Sequence, residues 1–370
     1  NLNGNKMFVV ITRNFPPEVG GMQTLMGDLA SILSDHGPVK VFADSADGSE
    51  AYDKKQKYSI QRITGFKFIQ KYRKNNQVEL FCTENRGIRA IVSDHWKSIE
   101  KISHNICAQT PTLCLIHGKE INHPKGSLLH TRMINSLKKA TYIIANSDFT
   151  KKLAIKKGIK ANKIKIINPG IFPLKKIDKK ANEKALNIFG NTSPKLISVT
   201  RLEKRKGIHS VILSLKNLQA VHPNFLYVVI GQGQQSSELR SLADNMGLTS
   251  NIIFLEDVNL ELKNALLHNA DIFLMPSIED GASVEGFGIA FLEASMLKTP
   301  SIGGKFGGAS DIVKDGKTGF ICDGTKHSQI YECLTKMLRN NRYKKMGEAA
   351  NKYAQNFLWS KQIKKYLKLI

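Results

Sequence analysis

The sequence predicts an α/β chain of two domains, each a parallel sheet with helices on both faces. Three observations carry that expectation. Apolar runs of strand length recur along the chain, separated by stretches long enough for helices. Residues 6–12 are almost continuously apolar, as in a strand buried on both faces. The rhythm breaks after Pro169 and restarts at Lys195.

Taken in order, the first half begins with that strand and a Pro/Gly loop over residues 14–21. Met22, Leu25, Met26, Leu29 and Leu33 then follow helical spacing. Further strands are expected at 39–43, 112–116, 142–145 and 164–167. Residues 172–190 are rich in Lys, Ala and Asn and read as a linker. Beyond it, strands are expected at 195–200, 225–230, 252–255, 272–275 and 300–302. Residues 343–370 read as helix with an interruption around 356–360. The expected division is a first domain over 1–171 with a returning segment 357–370, a linker 172–190, and a second domain over 191–356.

A chain of 370 residues with 41% hydrophobic content can bury two cores. No N-terminal stretch has the pattern of a secretory signal. The longest apolar runs fall far short of the ~20 residues that a bilayer span needs. The five cysteines are odd in number and form no Cys-x-x-Cys pair, which argues against a disulfide framework or a thiolate zinc site. A cytoplasmic location is the expectation. The net charge of +24 is spread over both halves, with 27 Lys/Arg against 13 Asp/Glu in residues 1–171 and 28 against 18 thereafter. Such an excess suits an anionic partner: a membrane surface, nucleic acid or a phosphorylated substrate.

The segment Ser283-Val-Glu-Gly-Phe-Gly-Ile-Ala-Phe-Leu-Glu-Ala294 carries the most chemistry. A glycine-rich turn opening a helix offers unpaired N–H groups at the positive end of the helix dipole, a seat for a diphosphate. Glu285 precedes the helix, and Glu293 shares the face of Ile289 one turn in. Carboxylates there can accept hydrogen bonds from sugar or ribose hydroxyls. Upstream, Arg201, Lys204, Arg205 and Lys206 follow a strand and precede Gly207, as suits a negatively charged leaving group.

The pair Glu285 and Glu293 resembles the Glu-x7-Glu signature of retaining glycosyltransferases of family four, near the phosphatidylinositol mannosyltransferases. The resemblance implies two Rossmann-like domains facing a cleft, the GT-B fold, with a C-terminal helix crossing back to the first. It implies that Glu293 binds the donor's ribose, that Glu285 approaches the transferred sugar, and that Gly286, Phe287, Gly288 and Ile289 meet sugar and phosphates. Arg201 and Lys206 match the family's diphosphate clamp, and Lys204 and Arg205 are left as surface charges. Gly20 and Gly21 resemble the first-strand loop that approaches the donor phosphate or the acceptor. His117, in His117-Gly-Lys-Glu120, resembles the histidine that faces the transferred sugar. Gly231 matches a turn over the nucleotide, and Val258 falls where the base is read. Residues 307–311 and 315–319 match the segment after the catalytic helix, with Asp311 where Glu is commoner.

The implied activity is transfer of a hexose from a nucleotide diphosphate sugar to a glycan or lipid-linked acceptor, with retention. GDP-mannose leads as donor and a UDP-sugar follows. No cofactor is expected, and no metal, since neither an Asp-x-Asp pair after a strand nor a histidine pair at ligand spacing occurs. Residues 54–74 are basic with interleaved Tyr58, Ile60, Phe66, Phe68 and Tyr72, a pattern that suits an anionic membrane or a solvated face. Two alternatives stand beside this reading: a nucleotide-sugar epimerase or hydrolase of the same architecture, and a basic nucleic-acid-binding protein. The second lacks any recognition helix, zinc finger or aromatic RNA-binding motif.

Overall fold

The structure is a computed structural model and describes residues 6–85 and 87–370, without the side chains of Lys67 and Phe68. Two compact units emerge. One runs to Gly170 and takes back Trp359–Ile370; the other is Ile171–Leu358.

The first unit holds seven strands: β1 (Met7–Thr12), β2 (Val39–Asp44), β3 (Ser59–Ile63), β4 (Ile88–Ser93), β5 (Thr112–Ile116), β6 (Tyr142–Ala145) and β7 (Ile164–Ile166). They pair in the order β3-β2-β1-β4-β5-β6-β7, and every pairing is parallel. Buried clusters cover both faces: Phe8, Val10, Val41 and Val92 on one, Val9, Ile11, Phe42 and Ile91 on the other. That is why β1 reads as a continuous apolar run. Helix Gly21–Ser34 buries Leu25, Met26, Leu29 and Leu33.

The second unit holds β8 (Lys195–Val199), β9 (Leu226–Ile230), β10 (Ile252–Leu255), β11 (Ile272–Met275), β12 (Ser301–Gly304) and β13 (Gly319–Cys322). Their order is β10-β9-β8-β11-β12-β13, again all parallel. In both sheets the strand order reverses beside the first strand, between β1 and β4 and between β8 and β11. Open α/β sheets bind ligands at the carboxyl ends of strands flanking such a reversal.

The expected linker at 172–190 is corrected. Residues Lys179–Phe189 form a helix that begins under the Asp178 side chain, which accepts from the Ala181 amide at 2.8 Å. Its Ala185 and Phe189 are fully buried, with Ala181 and Ile188 packed beside them. These four fall at i, i+4, i+7 and i+8, a helical stripe that the Lys-rich exposed face hides from a compositional reading. In its first turn Asn182 accepts from Asn269 at 2.8 Å.

The helical C-terminal stretch breaks at Leu358, and its last helix, Trp359–Leu367, belongs to the first unit. Trp359, Ile363 and Tyr366 join the cluster of Phe8 and Leu29. Trp359 lies so close to Gly170 that a Cβ there would meet the indole at 2.3 Å. Phe357 stays with the second unit, its ring 6.1 Å from that of Phe287.

Residues 54–74 do not form one amphipathic surface. Tyr58 is buried before β3, and Lys74 turns inward to the Thr12 carbonyl at 2.9 Å and Asp44 at 2.6 Å. Phe66, just before helix Lys67–Glu84, and Ile69 and Tyr72 on it remain exposed, while Phe68 lies outside the described side chains. No helix among the described residues is long and apolar enough to cross a membrane.

Candidate active site

In the second unit the loops after β8 and β11 meet at the strand-order reversal. After β8 the chain makes a short helical turn, Lys204–Lys206, closed by Gly207 in the left-handed region at φ 73°. A Cβ on Gly207 would lie 2.2 Å from the Pro276 carbonyl oxygen, so glycine lets the two loops touch. The Ile278 amide donates to the Arg205 carbonyl at 2.8 Å and fixes their register.

This turn aims Arg205 and Lys206 at Glu285. Arg205 Nη1 donates to Glu285 Oε2 at 2.9 Å, and Lys206 Nζ bonds the same oxygen. Only about a tenth of each side chain is exposed. Burial alone would raise the Glu285 pKa, but the Lys206 and Arg205 charges override it and hold the carboxyl below its usual range. Glu203 extends the network, accepting from Arg205 at 2.9 Å and from Arg201 at 3.0 Å. Signs alternate along Arg201, Glu203, Arg205, Glu285 and Lys206, which leaves one net positive charge.

The assignment of Arg205 as a surface charge is therefore corrected. It is buried in the pair, whereas Lys204 is 67% exposed. Three adjacent cations look alike in sequence; the helical turn decides which ones face inward. Arg201 is 73% exposed and reaches Glu285 only through Glu203 and Arg205.

The glycine-rich turn leads from Glu285 into helix Ile289–Met296, with Gly288 at φ 85°. Phe287 is 2% exposed and packs in the core, so only its backbone can meet a ligand. Behind the turn, Gly308 donates its amide to the Glu285 carbonyl at 2.9 Å. A Cβ at Gly308 would stand 1.9 Å from the Gly286 carbonyl oxygen, and one at Gly307 would stand 2.4 Å from that of Glu285. Those two glycines set the position of the turn.

Glu293 lies on the same helix as Ile289, and Lys263 of helix Leu260–Asn269 donates to its carboxylate at 2.8 Å. Sequence reading missed Lys263, which is 19% exposed and carries no local motif. Gly231 fits against β8, since a Cβ would lie 1.9 Å from the Thr200 carbonyl oxygen, and its amide donates to the Leu255 carbonyl at 2.9 Å. Val258 is half-buried in the loop after β10.

In the first unit, Gly20 caps helix Gly21–Ser34, and the space around Gly21 is open. His117 follows β5, and its Nε2 lies 2.9 Å from the Asp94 carbonyl oxygen. Nε2 therefore carries the proton when the ring is neutral. Its backbone amide donates to Glu120 Oε1 at 2.5 Å. Among the described residues, no group of three His, Cys, Asp or Glu is placed to hold a metal ion.

Two family models match these units. Glycosyltransferase Family 4 covers residues 19–173, and Glycosyl transferases group 1 covers 178–356. This chain belongs to the family-four, group 1 glycosyltransferases. This glycosyltransferase is 25% identical over 95% of its length to a Mycolicibacterium smegmatis protein named GDP-mannose-dependent α-(1-6)-phosphatidylinositol monomannoside mannosyltransferase, of which it covers 94%. It is 26% identical over 91% of its length to the corresponding monoacylated-substrate enzyme of Corynebacterium glutamicum, covering 90% of it. Among solved structures, Anabaena HepE in complex with UDP matches with a TM-score of 0.81 at 19% identity, over 99% of this chain and all of that one. The likeness places the two units in the GT-B fold.

Proposed function

We propose that this glycosyltransferase moves a hexose from a nucleotide diphosphate sugar to a glycan or lipid-linked acceptor with retention of anomeric configuration and without a metal. The observation that carries the proposal is the convergence of Arg205 and Lys206 on Glu285 beside the Gly286–Gly288 turn. GDP-mannose is the favoured donor, because the relatives similar over nearly the whole chain are named for it. A UDP-sugar is second, on the strength of the HepE complex.

In this reading the donor's diphosphate takes over Lys206, Arg205 and the exposed Arg201. Glu285, relieved of its cations, turns to the sugar hydroxyls. Glu293 exchanges Lys263 for the ribose, and Gly20, Gly21, Gly231 and Val258 frame the donor. We extend the proposal to His117 as a contact of the transferred sugar. The bond from the anomeric carbon to the phosphate oxygen breaks while the acceptor oxygen bonds on the same face. The acceptor's proton passes to the departing diphosphate, whose charge the cations stabilise.

Product NMR from a reaction run in EDTA tests this. The expected product keeps the donor's anomeric configuration at an undiminished rate; an inverted anomer or a dead reaction contradicts the proposal. A changed donor in the absence of acceptor would favour an epimerase or hydrolase instead. We also place the enzyme at the inner face of the cytoplasmic membrane, on the exposed Phe66 that precedes a basic helix and on Ile69 and Tyr72 within it. Flotation with anionic vesicles is expected at low salt and not at high salt; equal recovery without vesicles would refute it.

A further inference from the structure

The first unit has its own strand-order reversal, between β1 and β4, and basic groups gather there from three loops. Arg13 follows β1, His95 and Lys97 follow β4, and His117 and His123 follow β5. Asp94 ties the first two loops together: its fully buried carboxylate accepts from the Arg13 amide at 2.8 Å and from Ser98 at 2.6 Å. Its carbonyl faces His117 Nε2 at 2.9 Å. Trp96 ties in the third loop by donating to the Glu120 carbonyl at 2.9 Å, with the His123 ring 6.0 Å from its own.

The cations at this edge are poorly neutralised. Lys97 Nζ lies over the Trp96 ring at 5.3 Å, and among the described residues neither it nor the Arg13 guanidinium makes an ion pair. Glu100, the acid that faces Lys97, is already held by both Lys71 and Arg132. Glu120 accepts from the His117 amide, and Asp94 is spent on Arg13, Thr12 and Ser98. Burial, together with the charge of Arg13, pushes His95 well down, and the same causes lower Lys97. His95 Nδ1 accepts from the Lys97 amide at 2.9 Å, and His123 Nε2 is buried without a hydrogen-bond partner. An unpartnered buried nitrogen and two unpaired cations on one edge call for an anion with several acceptor oxygens.

We propose that Arg13, Lys97, His95 and His123 form a binding site for the phosphate of an anionic acceptor at the carboxyl edge of the first sheet. The anion site stands on the geometry alone; its assignment to the acceptor rests on the function proposed above. A phosphate bound there would fix the acceptor by its charged end.

The test follows the imidazole signals of the whole chain, labelled at histidine and titrated with inorganic phosphate at constant ionic strength. His→Gln single variants assign the signals. His95 and His123 are expected to shift along one saturable curve. In R13A/K97A, whose side chains hold no ion pair that folding depends on, the midpoint is expected to rise by about tenfold or more. Short-chain phosphatidylglycerol and glucose 6-phosphate, each titrated alone, distinguish a lipid phosphodiester from a soluble sugar phosphate as the source. The tighter of the two names the acceptor class, and binding of either at these histidines supports the site. Absence of a saturable shift, or an unchanged midpoint in R13A/K97A, overturns it. No nucleotide or transfer enters the readout, so a failed donor assay and a failed phosphate titration are separate results.

Discussion

Replacing Lys206 with Met is expected to lower transfer by about two to three orders of magnitude, the loss typical of one preorganised transition-state donor. Lys206 and Arg205 share one carboxylate oxygen, so both point at the place where a diphosphate would arrive. A leaving diphosphate gains charge as the glycosidic bond breaks, and a buried ammonium is worth most at that moment. The same variant breaks a buried pair. Removing one partner of such a pair costs on the order of 3–5 kcal/mol when the other is stranded. Arg205 stays on Glu285, so the loss of stability should fall at or below the lower end of that range. Steady-state rates and thermal melts of K206M check both parts. A variant that melts lower yet transfers at the wild-type rate would give Lys206 a structural role only.

The second large effect is expected for Glu285→Gln, and it has a different signature. The amide keeps the size of the side chain and loses its charge, so sugar orientation suffers and kcat should fall about a hundredfold. Nucleoside diphosphate binding should hold or tighten, because the phosphates no longer compete with a carboxylate for Lys206 and Arg205. Binding up with turnover down separates a placeholder that becomes a sugar contact from a residue that only props the loop. Calorimetric titration of E285Q with GDP and UDP beside the rate assay reads this directly. Weaker binding together with a lower rate would contradict the competition.

Much of this architecture is legible in the sequence where physics leaves a local mark. Strands buried on both faces show as unbroken apolar runs, which is why β1, β5 and β11 stand out. β3 is an edge strand with Ser59, Gln61 and Arg62 among its five residues, β4 carries Arg89 within it, and β13 starts on a glycine, so none makes such a run. The helix Lys179–Phe189 is hidden by its lysines, although Ala181, Ala185, Ile188 and Phe189 keep the period. At the site, glycine spacing exposes the turn and its helix, because glycine tolerates φ 85° with the Phe291 ring close by. Which cations face inward depends on contacts far apart in the chain. Arg205 reaches Glu285 across 80 positions and Lys263 reaches Glu293 across 30, and no local pattern records either.

Lys206 and Arg205, now occupied by Glu285, are expected to be the diphosphate seat of a nucleotide-sugar donor. Titrating the wild-type chain and K206M with GDP and UDP in EDTA tests it most directly. Saturable binding of one nucleotide to the wild type, weakened by about ten- to a hundredfold in K206M, is the predicted result. Equal affinity in the two proteins, or binding only when a divalent metal is added, would contradict it.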